Sequence, residues 1–224
     1  MGRGKLTAIA LVKFVSGVFL VGLLTFLPAG TFRYPNAWLL MGLLFLPMFC
    51  VGILLLARAP GMLEKRLNMK ETEPAQKAVV GFSALLFIAG FLLAGLNFRF
   101  GWFVLPRWAV VAASLLLLLG YLLWGEVMRE NAYLSRTVEI QEGQRVVDTG
   151  LYAVVRHPMY AAALLLFLSV PLVLGSPISL VVFLGFIPVL AARIRNEEAV
   201  LEAGLAGYKD YQKKVKYRLI PLVW

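Results

Sequence analysis

The chain has 224 residues, 61% of them hydrophobic and 15% charged, with a mean hydropathy of +0.82 and a formal net charge of +10. Apolar residues gathered into runs at that hydropathy mark an integral membrane protein rather than a soluble domain. One cysteine and one histidine exclude a disulfide framework, a zinc finger, an iron–sulfur cluster and any site with several histidine ligands, so no metal is expected.

In chain order, the apolar runs fall at about 8–29, 37–57, 78–97, 108–125, 159–174 and 177–192, where about 20 helical residues cross a bilayer core. The Met1–Lys5 start leads into the first run without a small-residue cleavage site and reads as a retained first span. Lys13 lies inside that run and is expected to snorkel toward headgroups. The first four runs are spans. The last two are short, separated by Gly175-Ser176-Pro177 and interrupted by Pro171 and Pro188, so they read as two kinked spans or as a deeply entering hairpin. The expected fold is therefore all-α and polytopic, with about six transmembrane helices. Residues 1–125 would form a four-helix membrane region and residues 126–224 a connector, a hairpin and a C-terminal helix.

All lysines and arginines except Arg33, Arg99 and Arg107 fall at the N-terminus, in 58–77, in 129–156 and from 193 onward. The positive-inside rule puts those segments and both termini in the cytoplasm, and the basic excess reads as a membrane-facing skirt, not as a nucleic-acid surface. Every Asp and Glu lies in or at the border of the same segments. A transporter would keep ionisable groups near mid-span, and the centres of these runs carry essentially none.

Two polar segments, 126–158 and 193–224, flank the hairpin. Pro158 suits the first helical position, since its missing N–H is not needed there. Arg156, His157 and Tyr160 then form either an interfacial helix start or a ligand site, because a helix N-terminus with free N–H groups can hold an anion. Arg193 and Glu197 share a helix face four residues apart. As an exposed pair they would contribute only ~0.3–0.5 kcal/mol. A tight hairpin, however, returns 193–198 beside 156–160, so Arg156, His157, Tyr160, Arg193 and Glu197 converge. Gly150 reads as a turn glycine and Tyr152 as interfacial packing or a stacking platform. Tyr208, Tyr211 and Val215 line one side of a basic C-terminal helix that either closes over a ligand or lies on headgroups.

Gly150-Leu-Tyr152, Arg156-His-Pro-Met-Tyr160, a hairpin, Arg193-Ile-Arg-Asn-Glu197-Glu198 and Tyr208-x-x-Tyr211, in that order, closely resemble the isoprenylcysteine carboxyl methyltransferase family and the wider group that includes phospholipid methyltransferases. The resemblance covers about 125–221. It implies S-adenosylmethionine as cofactor, in a cytoplasm-facing pocket between the connector, the hairpin ends and the C-terminal helix. It assigns Tyr152, His157, Pro158, Met159, Tyr160 and Glu197 to the cofactor, together with the aligned stretch Gln144, Arg145, Val146 and Val147. Arg193 matches the substrate arginine, with Arg156 as the second catalytic candidate, and Asn131 aligns with a recurrent asparagine placed on the substrate side. Ala162 stands where many relatives carry glycine.

The residue inventory suits that chemistry. Displacement of a methyl group from a sulfonium has a neutral leaving group and needs no metal, so orientation of two reactants is the main demand. A carboxylate acceptor is ionised at neutral pH, needs no base and asks for an arginine to place it. An amine acceptor would need a base, and His157 is the one histidine able to serve. The expected partners are the bilayer and a lipophilic or prenylated acceptor. The alternatives are a phospholipid amine N-methyltransferase and a non-enzymatic transporter or scaffold.

Overall fold

The computed structural model describes residues 2–67, 74–135, 138 and 140–224. The middle of the basic connector 58–77, and Arg136, Thr137 and Glu139 of the 126–158 segment, lie outside the described residues. Among the described residues the regular structure is helical throughout: α1 (Arg3–Ala29), α2 (Pro35–Arg58), α3 (Pro60–Leu67), α4 (Pro74–Phe100), α5 (Arg107–Glu130), α6 (Pro158–Val173), α7 (Pro177–Phe183), α8 (Phe186–Gly204) and α9 (Tyr208–Lys214), with a 3-10 turn at Gly150–Ala153. Long apolar runs become helices because a bilayer offers backbone groups no partner outside the segment. Prolines start α2, α6 and α7, where a missing N–H costs nothing.

Five segments are long and apolar enough to cross a membrane: α1, α2, residues 76–100 of α4, α5, and α7 with α8 taken together. The expected sixth, α6, has 16 residues and a length of about 24 Å. Its reach is nevertheless set by packing. The turn at its end contacts the start of α2, where Tyr34 Oη donates to the Leu174 carbonyl at 2.6 Å. That turn therefore lies level with the α1–α2 loop. Gly175, at φ 74°, closes it in a conformation that favours glycine, with Asn36 Nδ2 2.8 Å from where a Cβ would be.

The second arm is broken once, between α7 and α8. Pro188 cannot donate to the Leu184 carbonyl, which accepts instead from the Ile187 N–H at 3.0 Å. An aromatic cluster joins the arms to α4: Phe87, Phe167 and Phe186 have ring centroids 4.6 to 5.0 Å apart. Close approach needs small residues, as is common between membrane helices. A Cβ on Gly90 would stand 2.2 Å from the Phe183 ring, and one on Gly120 2.8 Å from Leu166. Lys13 reaches from α1 to the end of α3. Its ammonium donates to the Leu67 carbonyl at the C-terminus of α3, where orphan carbonyls favour a cation.

Candidate active site

The two ends of the hairpin meet as the spacing predicts, and each arm's contribution has a local cause. Pro158 opens α6 with His157 as its N-cap residue. Residues 194, 197 and 198 lie on the end of α8 that returns beside it, and Ile194 and Glu198, four apart, are both buried. The C-terminal strand of chain docks onto this corner through main-chain bonds from Arg156 N–H to the Tyr217 carbonyl and from His157 N–H to the Arg218 carbonyl, both 2.9 Å.

At the base of the corner is a buried ion cluster. Glu198, 3% exposed, accepts from Arg156 Nε at 2.7 Å and from Arg218 Nε at 2.7 Å, and its Oε1 lies 3.2 Å from His157 Nε2. Arg156 spends a further nitrogen on the Val215 and Lys216 carbonyls, at 2.8 and 3.0 Å. Arg156 is thus engaged by a carboxylate and two carbonyls, and it straps the C-terminal segment to the start of α6. Sequence reasoning singled out Glu197 and left Glu198 in the background. The signal that could have found it is its position four residues after the apolar Ile194, on the face that turns inward.

One turn away, Tyr160 joins the other pair. Its hydroxyl donates to Glu197 and accepts from Arg193 Nε at 2.9 Å. Arg193 also donates to Gln76 Oε1 at 3.2 Å, and Gln76 Nε2 donates back to the Arg193 carbonyl at 3.3 Å, which anchors this array to α4.

Above both sets lies a cleft with an enclosed volume of about 100 Å³ that widens into an open mouth. Its walls include Asn131, Gln144, Arg145, Val146, Val147, Tyr152, Arg156, His157, Met159, Tyr160, Arg193 and Glu197. Of the residues expected at a site, only Pro158 is absent from these walls, and it lies buried at the first turn of α6. Sequence reasoning missed Tyr133, Leu134, Val138, Leu201 and Leu205, apolar or aromatic wall residues on an irregular connector and the far end of α8. Their side chains carry no motif of their own.

The connector is shaped by small polar locks. Asn131 Nδ2 donates to Tyr152 Oη at 2.9 Å while its Oδ1 accepts from the Tyr133 N–H at 2.9 Å. Asn131 therefore positions Tyr152 as well as lining the cleft. Gln144 Oε1 accepts from the Gln141 N–H at 2.8 Å, closing the turn ahead of Arg145. Tyr211 Oη donates to the Tyr152 carbonyl at 2.7 Å, so α9 closes one side. Burial pushes the Tyr152 phenol up to about 12, the bond from Asn131 opposing the shift, and burial raises Tyr208 and Tyr211 as well. All three are neutral at pH 7. Tyr208 Oη is the exception to the satisfied pattern: among the described residues it is buried without a hydrogen-bond partner. An orphan hydroxyl in a cleft wall keeps its hydrogen-bonding capacity for whatever fills the cleft.

The family model of the isoprenylcysteine carboxyl methyltransferase (ICMT) family matches residues 111–203. Among solved structures, the eukaryotic intramembrane Ras methyltransferase ICMT shares the fold, with a TM-score of 0.52 and 17% identity over 100% of this chain and 88% of that one. The comparison with curated proteins gives no match.

Proposed function

With residues 111–203 matched to the isoprenylcysteine carboxyl methyltransferase family, we propose that this integral membrane protein transfers a methyl group from S-adenosylmethionine to a lipophilic acceptor carboxylate of the isoprenylcysteine type. The observation that carries the reading is the cleft at the hairpin ends, where a tyrosine hydroxyl unpartnered among the described residues, a carboxylate and two further aromatic faces surround one space. When bound, S-adenosylmethionine supplies an electrophilic methyl group on a sulfonium cation.

The chain's own residues bind and orient. The faces of Tyr152 and Tyr208 suit a cation, and the Tyr208 hydroxyl supplies the donor or acceptor it has spare. Glu197 takes hydroxyl or amino groups of the donor, with its carboxylate held by Tyr160. Gln144, Arg145, Val146 and Val147 form the outer wall, and a molecule of this size occupies the enclosed part and the mouth together. Arg193, held over the Tyr160 ring at 5.9 Å from its centroid, is the cation nearest this array and faces the acceptor side. No cleft residue has to remove a proton, because a carboxylate acceptor is ionised at neutral pH. An amine acceptor would ask His157 to act as base, and His157 is 5% exposed and turned onto Glu198, which favours the carboxylate. In this reading residues 126–224 form the methyltransferase region on a scaffold of residues 1–125, the cleft and both termini face the cytoplasm, and the acceptor enters from the bilayer, sideways between helices.

Calorimetry in lipid or mild detergent tests the donor site: the wild type binds S-adenosylmethionine, and Glu197→Gln weakens binding by about tenfold at unchanged unfolding temperature. Radiolabelled donor, offered with total lipid extract and farnesylcysteine analogues, tests the acceptor, and a carboxyl ester loses its label in mild alkali. A wild type that binds no donor, as a transporter or scaffold would, removes the proposal.

A further inference from the structure

A second cavity, of about 480 Å³, lies between α1, α2, α3 and α5, outside the cleft just described. Its lining is almost entirely apolar and includes Leu11 and Phe14 of α1, Val51 and Leu55 of α2, and Leu63 of α3, with Trp124 of α5. That volume lies within the ~300–1,000 Å³ range of small-molecule sites. One charged side chain other than Lys13 reaches it, and that is Arg66. Lys13 is already turned to the Leu67 carbonyl.

Arg66 lies against Trp124 at the edge of this space. Its guanidinium carbon sits 5.1 Å from the Trp124 ring centroid. Nε and Nη2 are both buried and, among the described residues, have no hydrogen-bond partner. Burial lowers its pKa to about 10, with the Tyr152 and Tyr160 oxygens opposing the shift, so it stays cationic at neutral pH. Tyr152 and Tyr160 are walls of the methyl-donor cleft. The same apolar cluster contains Val51, Leu55 and Trp124 from the chamber and Tyr152, Val147 and Met159 from the cleft, so the linings of the two spaces belong to one packed cluster. A buried guanidinium edge with two idle N–H groups matches the bidentate geometry of a carboxylate. Arg156 and Arg193, the arginines that the motifs point to, are both already bonded within the protein.

We propose that the α1–α2–α3–α5 chamber takes the tail of a single-tailed anionic amphiphile, and that Arg66 takes its carboxylate and presents it toward Tyr152 and Tyr160. This rests on the reading of the cleft as the methyl-donor site. Arg66 is then a substrate-positioning residue at the end of α3, a segment that lies outside the 111–203 match. The proposal gives a use to two buried guanidinium nitrogens with no partner among the described residues, since a desolvated donor without a hydrogen bond costs stability until a ligand meets it.

The test uses full-length protein in nanodiscs, with farnesylcysteine and its carboxamide as probes. Wild type should bind the carboxylate at least about tenfold more tightly than the carboxamide, and Arg66→Gln should reduce that preference to within about twofold. Arg66→Gln should leave S-adenosylmethionine affinity unchanged and raise, or at least not lower, the unfolding temperature, which a merely structural arginine would not do. Arg66→Lys should restore part of the preference. Gly52 lines the chamber, and a Cβ there would meet no atom within 4 Å, so Gly52→Leu should fill space and shift the preferred tail from farnesyl to geranyl. An unchanged carboxylate preference in Arg66→Gln, or an unchanged tail preference in Gly52→Leu, overturns the proposal while donor binding stands. Loss of donor binding in the wild type defeats the donor-site reading instead.

Discussion

The Arg156 guanidinium lies 2.7 Å from the Glu198 carboxylate, and both side chains are almost fully buried at the joint between the start of α6 and the end of α8. Breaking such a pair leaves an uncompensated charge inside the protein, at a cost of about 3–5 kcal/mol. Glu198→Ala is therefore expected to lower the unfolding temperature sharply and to free the 215–218 segment to proteolysis. The adjacent Glu197→Gln, whose side chain faces the cleft, should unfold within a few degrees of the wild type. Thermal unfolding of the two variants in the same lipid separates them, and equal loss in both would show that Glu197 is structural too.

Tyr208 carries the opposite signature. Its hydroxyl is buried and unpartnered among the described residues, so Tyr208→Phe removes a desolvated polar group and no bond. Stability should hold or rise by up to about 1 kcal/mol. Affinity for S-adenosylmethionine, measured by calorimetry, should fall several-fold. Unaltered affinity would show that the hydroxyl does not meet the donor.

Gly90 and Phe183 test the packing of α4 on the hairpin. A Cβ on residue 90 would stand 2.2 Å from the ring, so Gly90→Ala should cost roughly 1–3 kcal/mol through overpacking. Combining it with Phe183→Leu should recover part of that loss, because the two changes meet at one contact. Strictly additive unfolding temperatures would contradict the contact.

Asp148 and Lys214 fasten α9 to the connector, with Lys214 Nζ 2.7 Å from the carboxylate. The bond from Lys214 holds the Asp148 carboxyl below the usual range. A folded value depressed below the unfolded one, about 3.9, gives a contribution that is present above that value and lost as pH falls through the folded one. The pair is exposed, so its effect on global stability is small. Its readout is local: the quenching of Tyr208 and Tyr211 fluorescence by a small solute should rise in the wild type below about pH 4. Asp148→Asn should show the raised level already at neutral pH. An identical acid profile in both would remove the strap.

The motifs made much of the site legible. Pro158 declares where α6 begins, and the Gly175-Ser176-Pro177 turn forces the return that puts Arg193 and Glu197 beside His157 and Tyr160. Adjacent residues were harder to rank. Glu197 and Glu198 look alike in the chain, and only the rotation of α8 against α6 sends one to the cleft and the other into the ion cluster. Tyr133, Leu134 and Val138 were illegible for another reason: an irregular connector has no period by which a side chain's direction can be read.

Hydropathy and periodicity by themselves determined that this is a helical membrane protein, because a lipid core leaves a polar backbone no other solution. Composition limited the candidate groups, since one cysteine and one histidine leave arginine, carboxylate and tyrosine as the main polar side chains. Only the tertiary structure decided which arginines are committed and which is idle. Arg156, Arg193 and Arg66 have the same charge in the sequence, but partner geometry and burial differ: the first straps the C-terminal segment, the second is bound to Tyr160 and Gln76, and the third, among the described residues, keeps two buried nitrogens open beside an apolar chamber.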